Sequence, residues 1–260
     1  MKVVILCGGL GTRLREHTQL QPKPMCMIGD KPLLWHIMRI YAHHDIKEFV
    51  LTLGYKGWQI KKYFMNLRSI MSDVTVCPGS GTIEFHDETI ERDWRITLAE
   101  TGETAMTGAR LWRVRRYLDE EEDFCVTYGD GLSDVNLTSL IAYHKKQGTI
   151  GTITGVHPAS RYGQVQMTGN RATGFQEKIY LEGEWINGGF MVFDGARVWE
   201  YMSDDEGLIL ENGPLPAMAA DRQLSVYRHN GFWMGMDTAH EYDQLKELWR
   251  TNQSPWRVWE

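Results

Sequence analysis

The chain lacks the sequence patterns that mark several classes of protein. Its four cysteines, Cys7, Cys26, Cys77 and Cys125, include no CxxC pair, which argues against a structural zinc site and against thioredoxin-type chemistry. No apolar run approaches the roughly 18 residues that a transmembrane helix needs. The short apolar run at residues 3–7 is followed by glycines and not by the small-residue cleavage site of a signal peptide. We therefore expect a cytoplasmic protein with no membrane partner.

Basic residues are outnumbered by acidic ones. The chain has 28 lysine and arginine residues against 34 aspartate and glutamate residues, which gives a formal net charge of −6. Nucleic-acid-binding proteins usually carry a basic face, so we expect no nucleic-acid partner. Proline is scarce, with 8 residues, and neither a proline- or serine-rich linker nor an internal repeat interrupts the 260 residues. With 42% hydrophobic residues, the chain is long enough to bury a full core, and we predict a single domain over residues 1–260.

Strand-like and helix-like segments alternate in the first part of the chain. Residues 3–7 and 48–54 are apolar runs typical of buried strands. Residues 33–41, which follow Pro32 as a first-turn residue, and residues 56–67 carry apolar side chains at helical spacing. The alternation predicts an α/β fold with a Rossmann-like, mainly parallel mixed sheet flanked by helices.

The remaining segments extend this pattern and add antiparallel parts. The stretch from residue 74 to residue 98 contains short β-like pieces, VTVC, TIEFH and the start of RITLAE, with turn residues between them. These pieces predict an inserted antiparallel element. From residue 157 onward the segments predict a β-rich C-terminal half. Further strands are predicted at residues 124–128, 149–156, 162–167, 171–178 and 185–194. Further helices are predicted at residues 109–118, 137–146, 196–202 and 239–249.

A glycine-rich turn follows the first predicted strand. Glycines allow a backbone to approach a phosphate closely and to present its N–H groups as donors. The segment contains Gly8, Gly9 and Gly11 but no Lys-Ser/Thr pair, as a P-loop requires. Leu14 stands where a Rossmann fingerprint has its third glycine, so this fingerprint also fails. The turn therefore predicts a phosphate site of another kind.

Two basic side chains near this turn suit a phosphate ligand. The Arg13 guanidinium offers a bidentate fork for phosphate oxygens. Lys23 lies between Pro22 and Pro24, and prolines on both sides hold the backbone extended. The first part of the acidic chain is therefore locally basic, which fits a site for an anionic small molecule.

Many segments of mixed composition, spread from end to end of the chain, resemble the sugar-1-phosphate nucleotidyltransferase family. The segments that carry the resemblance are residues 8–14, 22–25, 31–33, 35–38, 54–57, 71–75, 101–102, 106–108, Arg110, 127–131, 186–190, 231–233, 236–238 and 255–260. Within the family, the similarity is to members that make CDP-glucose.

The resemblance implies transfer of a cytidylyl group from CTP to α-D-glucose 1-phosphate, which gives CDP-glucose and pyrophosphate. The sugar phosphate attacks the α-phosphorus directly and in line, with Mg²⁺ as the cofactor. The resemblance also implies a homo-oligomer and a place in sugar nucleotide and lipopolysaccharide O-antigen biosynthesis. The same reaction with UTP or dTTP, or with another sugar 1-phosphate, stays open, and so does a non-catalytic relative that binds a sugar nucleotide.

The residues that match the family's motifs give a candidate site. Asp130 and Asp237, which follow apolar strands, are the expected metal ligands. The expected catalytic residues are Arg13, Lys23 and Asp130. The expected nucleotide-binding residues are Leu6, Cys7, Gly8, Gly9, Leu10, Gly11, Thr12, Arg13, Lys23, Thr101, Gly102, Arg110, Tyr128 and Gly129. The expected sugar-phosphate-binding residues are Glu177, Lys178, Asn187, Gly188 and Gly189.

The chain departs from the pattern of the wider family at several positions, among them Met27, Ile179, Gly213 and Met234. Near the C-terminal end, Trp249, Trp256 and Trp259 predict that the segment after the last helix docks, either on the body of its own chain or on a neighbouring subunit. No nucleophilic serine or cysteine is expected, because the implied transfer is direct.

Overall fold

The fold is taken from a computed structural model, which describes residues 1–9, 21–119, 122–157, 164–176 and 184–259. The strands in this part of the chain are β1 (Lys2–Leu6), β2 (Met27–Ile28), β3 (Lys31–Pro32), β4 (Glu48–Leu53), β5 (Val74–Cys77), β6 (Thr82–Phe85), β7 (Arg95–Glu100), β8 (Phe124–Tyr128), β9 (Gly131–Ser133), β10 (Gly151–Val156), β11 (Gln164–Thr168), β12 (Arg171–Gln176), β13 (Ile186–Phe193), β14 (Leu224–His229) and β15 (Trp233–Gly235). The α-helices are α1 (Leu33–His43), α2 (Gly57–Met65), α3 (Leu67–Met71), α4 (Thr107–Val114), α5 (Leu137–Gln147), α6 (Pro214–Ala220) and α7 (Ala239–Arg250). Short 3₁₀ helices span Lys23–Met25, Arg115–Tyr117 and Val198–Tyr201.

A seven-stranded mixed sheet, in the order β14-β10-β13-β8-β1-β4-β7, forms the centre of the molecule. Strand β1 pairs in parallel with β4 on one side and with β8 on the other. Strand β13 is antiparallel to both β8 and β10, and β14 runs parallel to β10. The α/β class and the mainly parallel mixed sheet expected from the sequence are confirmed.

Strand β1 is apolar on both faces because both faces of the sheet are covered. Val3 and Ile5 point into one hydrophobic cluster, which includes the buried side of α1. Val4 and Leu6 point into a second cluster on the opposite face, which includes the buried side of α4. Burial of both faces fixes β1 in the interior of the sheet, between β8 and β4.

Strand β7 corrects one sequence-based expectation. The piece RITLAE was expected in the inserted antiparallel element, but β7 is an edge strand of the main sheet and pairs in parallel with β4 from Glu48↔Arg95 to Leu53↔Glu100. The insertion is therefore the shorter hairpin of β5 and β6. The pairing that decides this is long-range, and a short strand after a hairpin has the same local pattern in either arrangement.

Other element boundaries differ from the sequence prediction in small ways. Pro32 precedes α1 as its N-cap, with φ −69° and ψ 152°, and is not in the first turn. Lys56 adopts a left-handed backbone with φ 53°, so α2 begins one residue later. The helix expected at residues 196–202 is the short 3₁₀ helix Val198–Tyr201. In contrast, Thr238 caps α7 as predicted, in a capping box with Glu241.

Two hairpins leave apolar side chains exposed. In the β5–β6 hairpin, Val74 lies opposite Phe85 and Val76 opposite Ile83, so these four side chains share one face. Val74, Val76 and Ile83 are exposed. The β11–β12 hairpin exposes Phe175 in the same way. An apolar face that a chain leaves exposed is typical of a protein–protein contact.

The segment after α7 docks on the body of its own chain. Trp256 is completely buried, and its Nε1 donates to His36 Nδ1 of α1 at 3.4 Å. Trp259 is also buried, with its ring 5.8 Å from that of Trp35, edge to face. The sequence left two docking surfaces open, the body of the same chain and a neighbouring subunit. Trp256 and Trp259 both dock on the body of their own chain. Among the residues that the structure describes, no helix is long and apolar enough to span a membrane.

Candidate active site

A cleft of about 300 Å³ opens where β1 and β8 end. The two strands are parallel, and Leu6 and Tyr128 are paired as their last residues, so the turns that follow them lie side by side. Ligands of α/β sheets bind at this edge, outside the carboxyl ends of the strands. The cleft is lined by Leu6, Cys7, Gly8, Gly9, Lys23, Pro24, Ala105, Met106, Thr107, Arg110, Tyr128, Gly129, Asp130 and Asp237.

Lys23 contacts both predicted metal ligands. Its Nζ lies 2.8 Å from Asp130 Oδ2 and 2.8 Å from Asp237 Oδ1. Pro22, in the extended conformation, leads into the 3₁₀ helix at Lys23–Met25, in which Pro24 and Met25 are buried. This rigid turn aims the ammonium at one point. Burial opposes the charge of Lys23, but Asp130 and Asp237 outweigh it and raise the pKa of the ammonium.

The two carboxylates are fixed by the backbone around them. Asp130 lies in the turn between β8 and β9, and its carbonyl oxygen accepts from Met236 N at 2.8 Å, which joins this turn to the end of β15. The Asp237 N–H donates to Glu241 Oε2 at 2.7 Å, so the capping box of α7 also holds Asp237. Each aspartate therefore presents an oxygen to the same point from a different strand end.

The donor set fits a divalent cation that is shared with a substrate. Carboxylate oxygens are the ligands that Mg²⁺ prefers, and Mg²⁺ commonly binds through one or two carboxylates plus substrate phosphates. Asp130 and Asp237 converge within hydrogen-bond distance of one Lys23 ammonium. In the described ranges, no group of three or more His, Cys, Asp or Glu side chains is placed to hold a metal ion. A pair of converging carboxylates suits a metal that is bound together with substrate phosphates.

The glycine turn is described only as far as Gly9. Leu10, Gly11, Thr12 and Arg13 lie outside the described residues. Cys7 N donates to the carbonyl oxygen of Thr52 at 3.2 Å, which keeps the turn in line with β4. Burial raises the pKa of the Cys7 thiol, so this cysteine is a packed residue and not an activated nucleophile.

Arg110 lies beneath this turn and is almost fully buried. Its Nη2 donates to Gly8 O at 2.8 Å, and its Nη1 donates to Thr101 Oγ1 and to Gly102 O, each at 2.8 Å. Thr101 and Gly102, which were expected to bind the nucleotide, do not line the cleft but both accept from Arg110, which does. Burial lowers the pKa of the Arg110 guanidinium.

Glycine is required at position 129. A Cβ built on Gly129 would lie 2.9 Å from Leu6 O and 3.0 Å from Pro24 Cγ. Gly129 N donates to Leu6 O at 3.1 Å. Since this close approach holds the ends of β1 and β8 together, a side chain here would push apart the two turns that form the floor of the cleft.

The residues expected to bind the sugar phosphate are only partly described. Glu177 and Lys178 lie outside the described residues. Asn187, Gly188 and Gly189 start β13, beside the end of β8, but they do not line the cleft itself. They border it through Tyr128, since a Cβ on Gly189 would clash with the Tyr128 ring. Trp233 Nε1 donates to Gly188 O at 2.7 Å and fixes the start of β13.

The nucleotidyl transferase family model matches residues 2–234 of the chain. The chain belongs to this family. Glucose-1-phosphate cytidylyltransferase of Salmonella typhimurium is 42% identical to this nucleotidyltransferase over 260 residues, which cover 100% of both chains. Probable glucose-1-phosphate cytidylyltransferase of Bacillus subtilis is 40% identical over 259 residues and likewise covers 100% of both.

A solved structure with the same fold extends the comparison. The putative glucose-1-phosphate thymidylyltransferase from Bacillus anthracis, solved in complex with a sucrose, superimposes with a TM-score of 0.68 over 96% of this chain and 95% of that chain. The two sequences are 15% identical, so this likeness establishes the fold of the nucleotidyltransferase and nothing about its substrates.

Sequence reasoning missed several residues of the cleft. Pro24, Ala105, Met106 and Thr107 line it, although Pro24 and residues 106–108 belong to segments that carried the family resemblance. Their side chains have no distinctive chemistry, which is why only the fold reveals their place. The structure also joins Glu211, which no motif singled out, to two residues of the cleft wall, Thr107 and Tyr128.

Proposed function

We propose that this nucleotidyltransferase transfers a cytidylyl group from CTP to α-D-glucose 1-phosphate and releases pyrophosphate. The full-length identity of 42% to the Salmonella typhimurium cytidylyltransferase supports the choice of substrates. The observation that carries the proposal is the convergence of Lys23, Asp130 and Asp237 in the cleft where β1 and β8 end. One cation and two carboxylates at one point are what phosphoryl chemistry on a metal-bound nucleotide needs.

The proposed reaction is a direct displacement. An oxygen of the sugar 1-phosphate bonds to the α-phosphorus of CTP, while the bond from that phosphorus to the bridging oxygen of the β-phosphate breaks and pyrophosphate leaves. Mg²⁺, when bound, neutralises charge on the phosphates at the reacting centre. Asp130 and Asp237 are the residues that would hold it.

The protein's own groups account for positioning and for the remaining charge. Lys23 would contact a phosphate near the reacting centre, because its ammonium lies at the carboxylates and belongs to a rigid turn. The N–H groups of the glycine turn, with Arg13, would contact the triphosphate. Holding two anions in line by fixed donors is where most of the rate enhancement of such a transfer originates.

On the other side of Tyr128, we propose that Asn187, Gly188 and Gly189 form part of the sugar pocket together with Glu177 and Lys178. The start of β13 is close to Tyr128 and Trp233, and aromatic side chains with fixed polar neighbours suit a sugar ring. We further propose that residues 1–260 act as one catalytic domain in the cytoplasm, in sugar nucleotide biosynthesis for lipopolysaccharide O-antigen.

We also propose that the enzyme is a homo-oligomer. The apolar face of the β5–β6 hairpin, with Val76 and Ile83 exposed, supports this proposal because such a face is unfavourable in water. The segment after α7 does not supply the contact, since Trp256 and Trp259 are buried on their own chain.

Pyrophosphate release tests the proposed function. CTP, UTP, dTTP, ATP and GTP are each supplied with a panel of sugar 1-phosphates and Mg²⁺, and the initial rate is measured for every pair. We expect the pair of CTP and glucose 1-phosphate to give the highest kcat/KM. A clear preference for UTP or dTTP would overturn the cytidylyl assignment, and a preference for another sugar phosphate would overturn the choice of glucose 1-phosphate.

A further inference from the structure

Behind the wall of the cleft, the Glu211 carboxylate lies between two hydroxyl groups. Thr107 Oγ1 donates to Glu211 Oε2 at 2.8 Å, and the Tyr128 hydroxyl donates to Glu211 Oε1. Thr107 and Tyr128 both line the cleft, whereas Glu211 does not. Glu211 therefore connects a residue at the start of α4 with the last residue of β8.

The backbone of the same segment is fixed independently of this carboxylate. Met106 N donates to Glu206 O at 2.9 Å, and Gly108 N donates to Leu208 O at 2.9 Å. These bonds satisfy N–H groups at the N-terminus of α4, which otherwise have no partner within the helix. Residues 206 and 208 are thus held by main-chain contacts, and Leu210 N donates to Thr107 Oγ1 at 2.9 Å, so the segment has anchors besides the Glu211 side chain.

The carboxylate decides the direction of the hydrogen bonds. An ionised carboxylate only accepts, so both hydroxyl hydrogens point back at Glu211. The Tyr128 oxygen can then only accept from any other partner. Burial, together with the charge of Glu211, raises the pKa of Tyr128, so the phenol keeps its hydrogen for this bond.

The other partner of Tyr128 is on β13. Asn187 Nδ2 lies 3.5 Å from the Tyr128 oxygen, and Asn187 Oδ1 accepts from Gly189 N at 2.9 Å. The second bond fixes which end of the amide faces Tyr128. The Tyr128 ring packs closely on Gly189, which has a φ of +80° and no side chain. A chain of oriented groups therefore runs from Thr107 through Glu211 and Tyr128 to the start of β13.

We propose that Glu211 is a positioning residue, which fixes the place and the hydrogen-bond polarity of the Tyr128 hydroxyl at the junction of the nucleotide cleft and β13, and thereby governs how the sugar 1-phosphate is bound. This inference rests on the proposed function, since it takes Asn187–Gly189 as the sugar side. The backbone end of Tyr128 belongs to the nucleotide floor. Its hydroxyl end faces β13, so a loss of Glu211 acts mainly on the sugar phosphate.

The test compares the variants Glu211→Ala, Glu211→Gln and Tyr128→Phe and the double variant Glu211→Ala/Tyr128→Phe. Glu206→Ala is the matched control, because Glu206 accepts from the Thr104 hydroxyl in a neighbouring and exposed hydroxyl–carboxylate contact of the same segment. KM and kcat are measured with each substrate varied in turn, and the melting temperature of each variant is recorded.

Glu211→Ala removes the hydrogen bonds from both Thr107 and Tyr128. We expect it to raise KM for the sugar 1-phosphate about tenfold, the effect of losing the bond that holds the Tyr128 hydroxyl on a charged group. KM for the nucleotide should change by less than about twofold, because the Thr107 hydroxyl in the cleft wall still accepts from Leu210 N at 2.9 Å and uniform binding of the nucleotide changes little. Glu211→Gln, which keeps one acceptor, should recover part of the loss. KM of the double variant for the sugar 1-phosphate should be at most about twice that of Tyr128→Phe, since Glu211 acts through Tyr128.

Two results would overturn the inference. One is that Glu211→Ala has the same KM and kcat as the control Glu206→Ala. The other is a loss in the double variant equal to the product of the single losses, which would show that Glu211 and Tyr128 act independently. All ratios are taken with the nucleotide and sugar phosphate that the wild-type protein uses best. A wild type that prefers UTP therefore contradicts the proposed function but leaves the test of Glu211 intact.

Discussion

Lys23 holds two carboxylates together, and its removal is the sharpest perturbation that the site offers. In Lys23→Met the side chain keeps a similar length and loses only the ammonium, which lies 2.8 Å from both Asp130 and Asp237. The ammonium occupies the point on which the two carboxylates converge. A cation that binds both carboxylates must therefore displace it. We expect the variant to bind Mn²⁺ or Mg²⁺ more tightly in the absence of nucleotide.

The structure sets the size of this effect. Two opposite charges about 4 Å apart attract by about 4 kcal/mol at an effective dielectric constant of about 20. The Lys23 side chain is 11% exposed, but those of Asp130 and Asp237 are 40% and 35% exposed, so solvent screening reduces each contact to about 1 kcal/mol. The two contacts together give about 2 kcal/mol, which corresponds to an affinity about 30-fold higher.

The assay is a titration of the nucleotide-free protein with Mn²⁺, followed by electron paramagnetic resonance. Lys47→Met is the matched control, because Lys47 Nζ lies 2.8 Å from Asp93 outside the cleft. The control should bind Mn²⁺ like the wild type. Pyrophosphate release by Lys23→Met should fall about a hundredfold or more, the loss expected when a charge at the reacting phosphates is removed. If Lys23→Met and the wild type bind Mn²⁺ equally well, the reasoning about displacement is wrong.

Four further predictions concern the metal, the docked segment, pH and assembly. Asp130→Asn should melt within about 3 °C of the wild type, since it touches little of the core, but release no pyrophosphate, and near-normal turnover would remove Asp130 from the metal site. Trp256→Ala should lower the free energy of unfolding in chemical denaturation by about 3–5 kcal/mol, because it empties a completely buried aromatic site, while the mass in light scattering stays unchanged. Burial lowers the pKa of His36 from 6.5 to about 4, so between these pH values the unfolded chain binds a proton that the folded chain does not. The free energy of unfolding should therefore fall by about 1.4 kcal/mol for each pH unit as the pH drops from 6.5 towards 4. His36→Gln should flatten this slope in chemical denaturation curves measured across the same pH range. Val76→Asp should lower the oligomer mass in light scattering, because it puts a charge on the apolar face of the β5–β6 hairpin, and an unchanged mass would exclude that face from the assembly.

Local pattern was sufficient to predict most of the elements that carry the site. Residues 3–6 of β1 are apolar and lie between two covered faces, and Asp130 follows an equally apolar strand, so both strands were predicted from the local pattern, whereas the role of Asp130 came from the family resemblance. The misplaced strand was β7, whose half-buried residues give no sign of their partner. Its register with β4 depends on a pairing between residues far apart in the chain, which a local window does not contain.

The convergence of the site residues has the same cause. Lys23 is separated from Asp130 by 107 positions and from Asp237 by 214. Each residue was predicted from its own motif. That Lys23 lies within hydrogen-bond distance of both aspartates follows from the strand order and from the hydrogen bond that Met236 N donates to Asp130 O. Glu211 was missed as a positioning residue for a related reason, since a carboxylate in a loop has no signature until its two hydroxyl donors are known.

Arg110 lines the cleft, but its position does not by itself say how it acts on the nucleotide. The family resemblance implied that Arg110 contacts the nucleotide, yet its Nη atoms donate to five oxygens of the protein, those of Leu53, Thr101, Gly102, Gly8 and Glu103. In a trans peptide the carbonyl and the next N–H point in opposite directions. By binding Gly8 O, the guanidinium turns the N–H of the following residue, Gly9, away from itself, and Gly9 lines the cleft. Arg110 can thus prepare a phosphate donor through the backbone without touching the phosphate, and a lysine, which has a single donor nitrogen, cannot reproduce the five contacts.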